Sequence, residues 1–277
     1  MRRIAAAAPL LAWALAAWAD PPSPDKSEFT LFDPTPDALL RAFSTDRPPK
    51  ANSPYTVDAG RFQYETDLAV FGRGNADGVL TRDWTIIDPT LKLGLTNTVD
   101  AELQVTPYQS AASSGAPTVS GQGDSVARLK WNVLGDDGGD VAAALIPYVK
   151  LPTARSGLGN GRVEGGLIVP VSIAAPAGLT VIVMPEADVL KNAANDGYHG
   201  AFDFLVNVSH PIDARWTGYA EIFASRDWQG GERPVYTLDC ALTFAITPTL
   251  QWDLGNNLSL NGVAPRVQVY SGLSQRF

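Results

Sequence analysis

Polar residues at every second position, many of them charged, are the feature of this sequence with the clearest chemical meaning. Two alternating runs flank a Thr-Asn-Thr turn within residues 86–108, and their polar positions include Asp88, Lys92, Asp100 and Glu102. Period-two alternation gives a strand one polar and one apolar face, and two such runs around a short turn predict a β-hairpin. Rings of fixed charge in a water-filled lumen select small solutes by the sign of their charge. The polar face needs water, and the apolar face needs lipid or a protein core.

The same alternation recurs in twelve predicted strands between residues 61 and 277. Their polar positions carry the acids Glu65, Asp67, Asp88, Asp100, Glu102, Asp124, Glu164, Glu186, Asp188, Asp203, Glu221, Asp239 and Asp253. The bases there are Arg61, Lys92, Arg128, Lys130, Lys150, Arg162, Arg215, Arg266 and Arg276. The apolar positions of these strands carry no charge. A lipid-facing Arg or Lys costs roughly 2–4 kcal/mol at the bilayer midplane, so the pattern predicts lipid outside and water inside.

Connection lengths and aromatic residues favour the same fold. Short turns alternate with longer Gly-, Ser- and Asn-rich loops, including a predicted loop from Gly72 to Leu80. This asymmetry is typical of a closed antiparallel transmembrane β-barrel with its short turns in the periplasm. Aromatic residues lie on the apolar positions near the short-turn ends, as an interfacial girdle would: Phe62, Tyr64, Trp131, Trp216, Phe244, Trp252 and Phe277. We therefore predict an all-β barrel of about twelve strands.

If the fold is a barrel, its polar positions line the lumen. The predicted lumen-lining residues are Asp88, Lys92, Glu102, Arg128, Lys130, Lys150, Glu164, Glu186, Asp188, Asp203, Glu221 and Asp239, with Asp46 and Arg47 at the periplasmic mouth. One hypothesis is that eight charged residues form a selective constriction: Glu102, Arg128, Lys130, Lys150, Glu164, Glu186, Asp188 and Glu221. The alternative is that acids and bases pair across strands and fill the lumen. The hairpin itself predicts a Lys92–Glu102 pair, with Leu93 facing lipid.

Other chemistries have weaker support in the sequence. Cys240 is the only cysteine, which excludes an internal disulfide, and two histidines make a histidine-rich metal site unlikely to form. The glycine-rich stretch 157–166 lacks the spacing and the following helix of a nucleotide-binding loop. An outer-membrane phospholipase would need Ser and Asn partners for His199 or His210, and none is evident at matching depth. We therefore predict no enzyme activity, no cofactor and no resident metal.

The N-terminal part of the chain differs in composition from the rest. Residues 1–19 have a basic start, an apolar middle and an Ala-Trp-Ala end, which predicts a signal peptide cleaved after Ala19. Without Arg2 and Arg3 the formal charge of −8 becomes −10, and so nucleic acid is not expected as a partner. Residues 20–60 are Pro-rich and predict a periplasmic extension, with one short helix starting at Thr35-Pro36. This extension is either a tether or a segment that packs on or plugs the barrel at residues 61–277.

Five segments of the chain resemble one family of outer-membrane proteins. They read FTLFDPTPDALLRAFSTDRP, SPYTVDAGRFQYETDL, LKLGLTNTVDAEL, AALIPYVKLPT and LGNGRVEGGLIVPV. The chain resembles the proteins named for the meta-pathway of phenol degradation from about Phe29 to Phe277. The resemblance implies an outer-membrane barrel with a transport-related role and supplies no substrate. The expected function is passive passage of small solutes, including hydrophobic or aromatic compounds, and the alternative is a non-conducting structural barrel. Expected partners are outer-membrane lipid, a small-molecule permeant and the barrel-assembly machinery.

Overall fold

The barrel prediction is confirmed by a computed structural model, which describes residues 25–76, 78–194 and 196–277. The predicted signal peptide, residues 1–19, lies outside the described residues. The strands are β1 (Phe62–Ala76), β2 (Val79–Thr96), β3 (Val99–Gln104), β4 (Tyr108–Ser113), β5 (Val119–Gly121), β6 (Ser125–Leu134), β7 (Val141–Leu151), β8 (Glu164–Ile168), β9 (Val171–Ala175), β10 (Leu179–Lys191), β11 (Tyr198–Pro211), β12 (Trp216–Asp227), β13 (Val235–Thr247), β14 (Leu250–Ser259) and β15 (Val267–Arg276).

These strands form one closed antiparallel barrel. Strands that are adjacent around the barrel pair antiparallel, and the last strand, β15, pairs with β1 along ten registered residues from Gln63–Arg276 to Arg73–Val267. Three positions around the barrel are occupied by two short strands in succession, β3 with β4, β5 with β6, and β8 with β9. Counted this way the barrel has twelve strands, as predicted from the sequence. The β1–β15 pairing removes the two free edges that an open sheet of these strands would expose to lipid.

The two ends of the barrel differ in their connections. One end, here called the short-turn end, carries connections such as residues 97–98 between β2 and β3 and residues 248–249 between β13 and β14. The other end, the long-loop end, carries connections such as residues 152–163 between β7 and β8. The predicted loop from Gly72 to Leu80 is wrong, because β1 and β2 extend through most of it and leave only residues 77–78 between them.

The outer surface of the barrel is apolar and exposed. Leu103, Leu129, Ile222 and Leu254 are among the large apolar residues with more than a third of their surface open. A protein in water would cover such residues, so their exposure all around the barrel is the surface that lipid solvates. The predicted aromatic girdle forms ring contacts at the short-turn end. The ring centroids are 5.8 Å apart for Phe62–Phe277, 4.8 Å for Trp216–Phe244 and 6.5 Å for Trp216–Trp252.

A paired irregularity in β1 and β2 changes which residues face the lumen. The register passes from Asp67–Asp88 to Ala69–Ile86, so Leu68 and Ile87 are bulged opposite each other. Ile87 has φ of 52°, which a β-branched residue adopts only when its surroundings require it. Strict alternation from Phe62 through Tyr64 and Leu68 predicts that Val70 faces lipid, but because of the bulge it lines a lumenal cavity.

Helical structure is minor. Where the sequence predicts a short helix starting at Thr35-Pro36, the chain makes a single 3-10 turn, Asp37–Leu39, whose N-cap Pro36 has no side-chain cap. A second 3-10 turn, Pro176–Gly178, connects β9 to β10. Among the described residues, no helix is both long enough and apolar enough to cross a membrane.

Candidate functional site: an occupied barrel lumen

Part of the N-terminal extension lies inside the barrel. We name residues 41–58 the lumen segment, because their backbone and side chains bond to inward-facing groups on strands all around the barrel. Contacts at increasing distance along the segment include Asp46 N to Glu65, Ala51 N to Glu221 Oε2 at 3.1 Å and Val57 N to Asp100 Oδ2 at 2.8 Å. A free tether does not describe these residues. Residues 41–58 are a plug held by the lumen wall.

Asp46 is the centre of the most buried charge network. Its carboxylate contacts the ammonium group of Lys92 and lies 2.9 Å from that of Lys130. Lys92 also lies 2.6 Å from Glu65 and 3.6 Å from Glu102, and Lys130 lies 3.2 Å from Glu102. The predicted Lys92–Glu102 pair is thus present, but as part of a larger network. Because both lysines are almost fully buried, each needs several carboxylates to offset the loss of water.

Arg47 is the second residue that anchors the segment, and its guanidinium occupies a space on the wall that is open only because residue 272 is glycine. Its guanidinium lies 2.8 Å from Asp67 on β1 and 2.8 Å from Asp253 on β14. The group packs against Gly272 on β15 so closely that a Cβ atom there would lie 2.2 Å from Nη2. The absence of a side chain at Gly272 therefore makes room for the guanidinium between its two carboxylates.

Lys50 reaches farthest toward the long-loop end. Its ammonium group contacts Asp239 on β13 and donates a hydrogen bond to the Thr237 hydroxyl at 3.1 Å. The backbone N–H of Lys50 donates to Glu221 Oε1 at 3.1 Å. Asp239 lies eight residues before the end of β13 at Thr247, well inside the barrel. Measured from the short-turn end, the lumen segment therefore reaches about two-thirds of the way along this strand.

One side of the lumen wall is apolar, which alternation of charges did not predict. Ala51 packs against a buried cluster contributed by β7, β8, β10 and β11. The wall residues of this cluster are Ala144, Ile146, Ile168, Met184 and Leu205. Burial of this patch by Ala51 holds the segment against one side of the barrel, while ion pairs hold the other side.

The two ends of the lumen segment meet at the short-turn end. Asp58 lies 3.6 Å from Arg41 and 3.4 Å from Arg276 in β15. Arg41 also reaches the turn after β6, where its Nε lies 2.9 Å from Asp137. Burial opposes ionisation of Asp137, but hydrogen bonds from Lys26, Asn97 and Arg41 outweigh it, so the pKa of this carboxyl lies below its usual range. A ring of ion pairs thus fastens the entry and exit of the segment to one rim.

Gly94 on β2 admits the exit of the segment. The N–H of Gly60 donates to Gly94 O at 2.9 Å, and the N–H of Gly94 donates to Arg61 O at 3.0 Å. A Cβ atom at Gly94 would lie 2.0 Å from Asp58 O, a backbone atom that cannot move aside alone. A glycine at this inward position therefore lets the extension run directly along the wall before it becomes β1.

Cavities lie on both sides of the lumen segment. At the short-turn end a cavity of about 650 Å³ is lined by Leu39, Phe43, Tyr55 and Arg276, among others. Beyond the segment, toward the long-loop end, two cavities of about 270 and 300 Å³ share the residues Arg47, Pro49, Lys50, Asp67 and Asp88. Each of these volumes is within or near the range of small-molecule sites. The segment is therefore a partition between a largely apolar rim chamber and the polar chambers beyond it.

The predicted lumen residues form separate groups along the barrel. Lys92, Glu102 and Lys130 join the Asp46 network, and Glu221 and Asp239 join Lys50, as described above. Lys150 lies 3.1 Å from Asp124 and 2.8 Å from Glu164 near the long-loop end. Asp88 accepts hydrogen bonds from Gln104 and Thr106, at 2.9 and 2.7 Å. The eight residues of the hypothetical constriction are thus not brought into one ring.

A third group, on β10 and β11, is acidic. Glu186 and Asp203 are directly paired across the strands, and Asp188 accepts a hydrogen bond from the Tyr148 hydroxyl at 2.6 Å. Arg128, on β6, donates to Gln104 at 2.9 Å. This part of the lumen carries more acidic than basic groups, so a water-filled passage here would favour cations.

Asp46 and Arg47 lie deeper than the predicted mouth. Their partners are strand residues inside the barrel, whereas the rim is occupied by Lys26, Arg41 and Asp58. One signal for this is visible in the sequence: Gly94 and Gly272 each interrupt the run of side chains on the inner face of a strand. Small residues facing inward make space for another chain segment, and the prolines of the extension exclude its pairing as a strand.

The histidines have partners that do not include a serine hydroxyl in the part of the chain that the structure describes. His199, near the start of β11, lies 2.8 Å from Asp227 at the end of β12 and 2.8 Å from Asn192 in the preceding loop. His210 Nδ1 lies 3.4 Å from Gly178 O. Within the same described residues, no group of three His, Cys, Asp or Glu side chains is arranged to hold a metal ion.

A lipid-facing exterior, a polar lumen and a lumen segment together define a transmembrane β-barrel of the outer-membrane type with an internal plug. The chain belongs to the family described as "MetA-pathway of phenol degradation", whose model matches residues 45–277. The matched range begins within the lumen segment, at the residue before Asp46. The plug and the barrel therefore fall within one family pattern.

Solved structures agree with the fold. An outer membrane channel from Pseudomonas putida has 13% sequence identity and a TM-score of 0.56, with 78% of this chain and 94% of that chain covered. The translocator domain of the autotransporter NalP from Neisseria meningitidis has 14% identity and a TM-score of 0.49, with 78% and 88% covered. The similarity to the P. putida structure, at 13% identity, extends to the fold alone. No curated protein matches the chain.

Proposed function

We propose that this protein is an outer-membrane channel for small solutes and that the lumen segment is its gate. The observation that carries the proposal is the presence of chambers on both sides of residues 41–58. In this arrangement the short-turn end faces the periplasm, as in other outer-membrane barrels, and the long loops face outward. Displacement of the segment would join the chambers into one passage.

The way the segment is held supports a gate rather than a permanent core. Its anchors are mainly hydrogen bonds and ion pairs to Asp46, Arg47 and Lys50, and its apolar contact centres on Ala51. Polar groups that leave such contacts can be solvated by water entering the lumen, so release costs less than exposing an equally large apolar core. A non-conducting structural barrel is the alternative, and it predicts that the segment never leaves.

The permeant class follows from the chamber walls and the family. The rim cavity combines Leu39, Phe43 and Tyr55 with the guanidinium of Arg276, and the chambers beyond the segment combine Tyr270 with charged groups. Such walls suit small amphipathic solutes with one polar group. The family description refers to phenol degradation, and the similar P. putida structure is named an outer membrane channel, which supports solutes of this class.

Liposome swelling and planar-bilayer recording test the proposal together. The full chain should admit small neutral aromatic solutes such as phenol and should show discrete openings. Removal of the anchors, in a variant carrying Asp46→Asn with Arg47→Gln, should raise both the rate of solute entry and the frequency of channel openings. Asp37→Asn is a matched control because Asp37 belongs to the same extension but pairs with Arg61 at the surface. Absence of current and swelling in both the full chain and the anchor variant would favour the structural barrel.

A further inference from the structure

We propose that the outer face of β1 and β2 at the long-loop end binds the phosphate group of an anionic lipid through Arg73 and Arg82. This inference rests on the proposed placement in the outer membrane, and not on conduction. The expected ligand is a phosphorylated lipid of the outer leaflet. Neither arginine contacts the lumen segment or its anchors.

Arg73 and Arg82 are directly opposite each other in the sheet. Their Cα atoms are register partners in the antiparallel pair of β1 and β2, and both side chains are exposed. Like charges directly opposite each other on one face destabilise a sheet unless a counterion lies between them. Within the described residues neither guanidinium has an ion pair or a hydrogen-bond partner, since Asp83 lies beside Gly72 on the inner face. Among the described residues, the pair therefore presents two cations without a carboxylate partner.

The residues nearer the middle of the barrel place this pair at headgroup height. On the same outer face, one step inward, Phe71 is paired with Trp84, and their ring centroids are 4.6 Å apart. One further step inward lies Ile86, with 36% of its surface exposed. The order from apolar to aromatic to cationic matches the order of hydrocarbon, interface and headgroup in a bilayer. A phosphate carried by a lipid would meet the arginines while its acyl chains meet the apolar residues.

A cavity beside Arg73 gives the phosphate a place to bind. Its volume is about 340 Å³, and its walls include Arg73, Leu80, Arg266 and Val267. Arg266 adds a third guanidinium, and the two apolar residues provide contact for the first carbons of a lipid. Arginine binds phosphate through paired N–H donors, which makes it suited to this role.

Binding of lipid A tests the inference with purified full chain in detergent micelles, followed by native mass spectrometry. The unmodified chain should bind phosphorylated lipid A more tightly than a form without phosphates. Each of Arg73→Gln and Arg82→Gln should weaken binding about 5-fold, and the double variant about 25-fold. Arg226→Gln is the matched control, because Arg226 also faces outward near the long-loop end, paired with Phe202, without a second arginine opposite it. Its affinity should change less than about 2-fold, a margin well below the effect expected for a paired arginine.

Three outcomes would overturn the inference. They are an unchanged affinity in the double variant, an equal loss in Arg226→Gln, and displacement of the lipid by inorganic phosphate at equal concentration. The last outcome would assign the arginines to free phosphate. Channel currents of the double variant should match those of the unmodified chain. If the unmodified chain conducts no ions but binds lipid A as expected, only the proposed channel function fails.

Discussion

Substitution of Asp46 by Asn removes the charge that two buried lysines share. The carboxylate contacts Lys92 and lies 2.9 Å from Lys130, and its side chain is only 11% exposed. Loss of one partner from a buried ion pair costs about 3–5 kcal/mol. We expect the lower end, about 3 kcal/mol, because the lysines keep Glu65 and Glu102 as partners. The cost falls on the state with the segment in the lumen.

A loss of about 3 kcal/mol corresponds to roughly a 100-fold increase in the ratio of open to closed channels. Single-channel recording in planar bilayers measures this ratio directly. The folded state of the variant is checked by the migration of unheated protein on denaturing gels, which distinguishes intact barrels from unfolded chains. Asp37→Asn should leave the ratio unchanged because its carboxylate is 88% exposed and outside the lumen. An intact Asp46→Asn barrel with the same open fraction as the unmodified chain would refute the gate.

Three further measurements address the space that Arg47 occupies at Gly272, the two faces of β15 and the effect of pH. Gly272→Ala should displace the guanidinium that lies within 2.2 Å of the new Cβ and should raise the open fraction, whereas Gly218→Ala, whose nearest contact is 3.4 Å away, should not. In a background without the native cysteine, a cysteine replacing Gln268 should react with a water-soluble maleimide in liposomes, and one replacing the neighbouring Val269 should not; equal labelling would contradict the barrel orientation. The pKa of Asp137 is lower in the folded protein than the ordinary aspartate pKa of about 4. The ion pairs of Asp137 therefore stabilise the rim fully above about pH 4, and this stabilisation is lost as the pH falls through the lowered pKa. Protease cleavage of residues 25–40 should therefore stay constant from about pH 7 to 5 and increase below about pH 4, and an increase already at pH 6 would contradict this assignment.

The barrel itself was predictable because its physical requirement is local. Each strand must separate lipid from water, so alternation such as that around Leu93 and Lys92 records the two faces residue by residue. Prediction failed where one residue was added to a strand. The bulges at Leu68 and Ile87 reverse the faces without changing the composition, so Val70 was assigned to lipid.

The occupant of the lumen was not predictable from alternation. The same inward charges are expected whether they contact water, each other or another chain segment. Lys92 in fact contacts two carboxylates of the barrel wall, Glu65 in β1 and Glu102 in β3, and one of the lumen segment, Asp46. The apolar wall around Ile146 was not predicted either. Alternation assigns apolar residues to the lipid face, so it gives no sign of an apolar residue that faces the lumen and contacts the segment. Only the inward glycines carried a signal of close packing.

Both ends of the lumen segment lie at the same rim, and this determines how it can move. Arg41 and Asp58 are 3.6 Å apart at the short-turn end, while Lys50 between them is the deepest point. The segment is therefore a loop that enters and leaves the barrel at the same rim, so no chain end passes through the lumen. It can be withdrawn and returned without unthreading a terminus and without parting β1 from β15. The barrel can thus close during assembly before its plug arrives, and repeated opening leaves the covalent path of the chain unknotted.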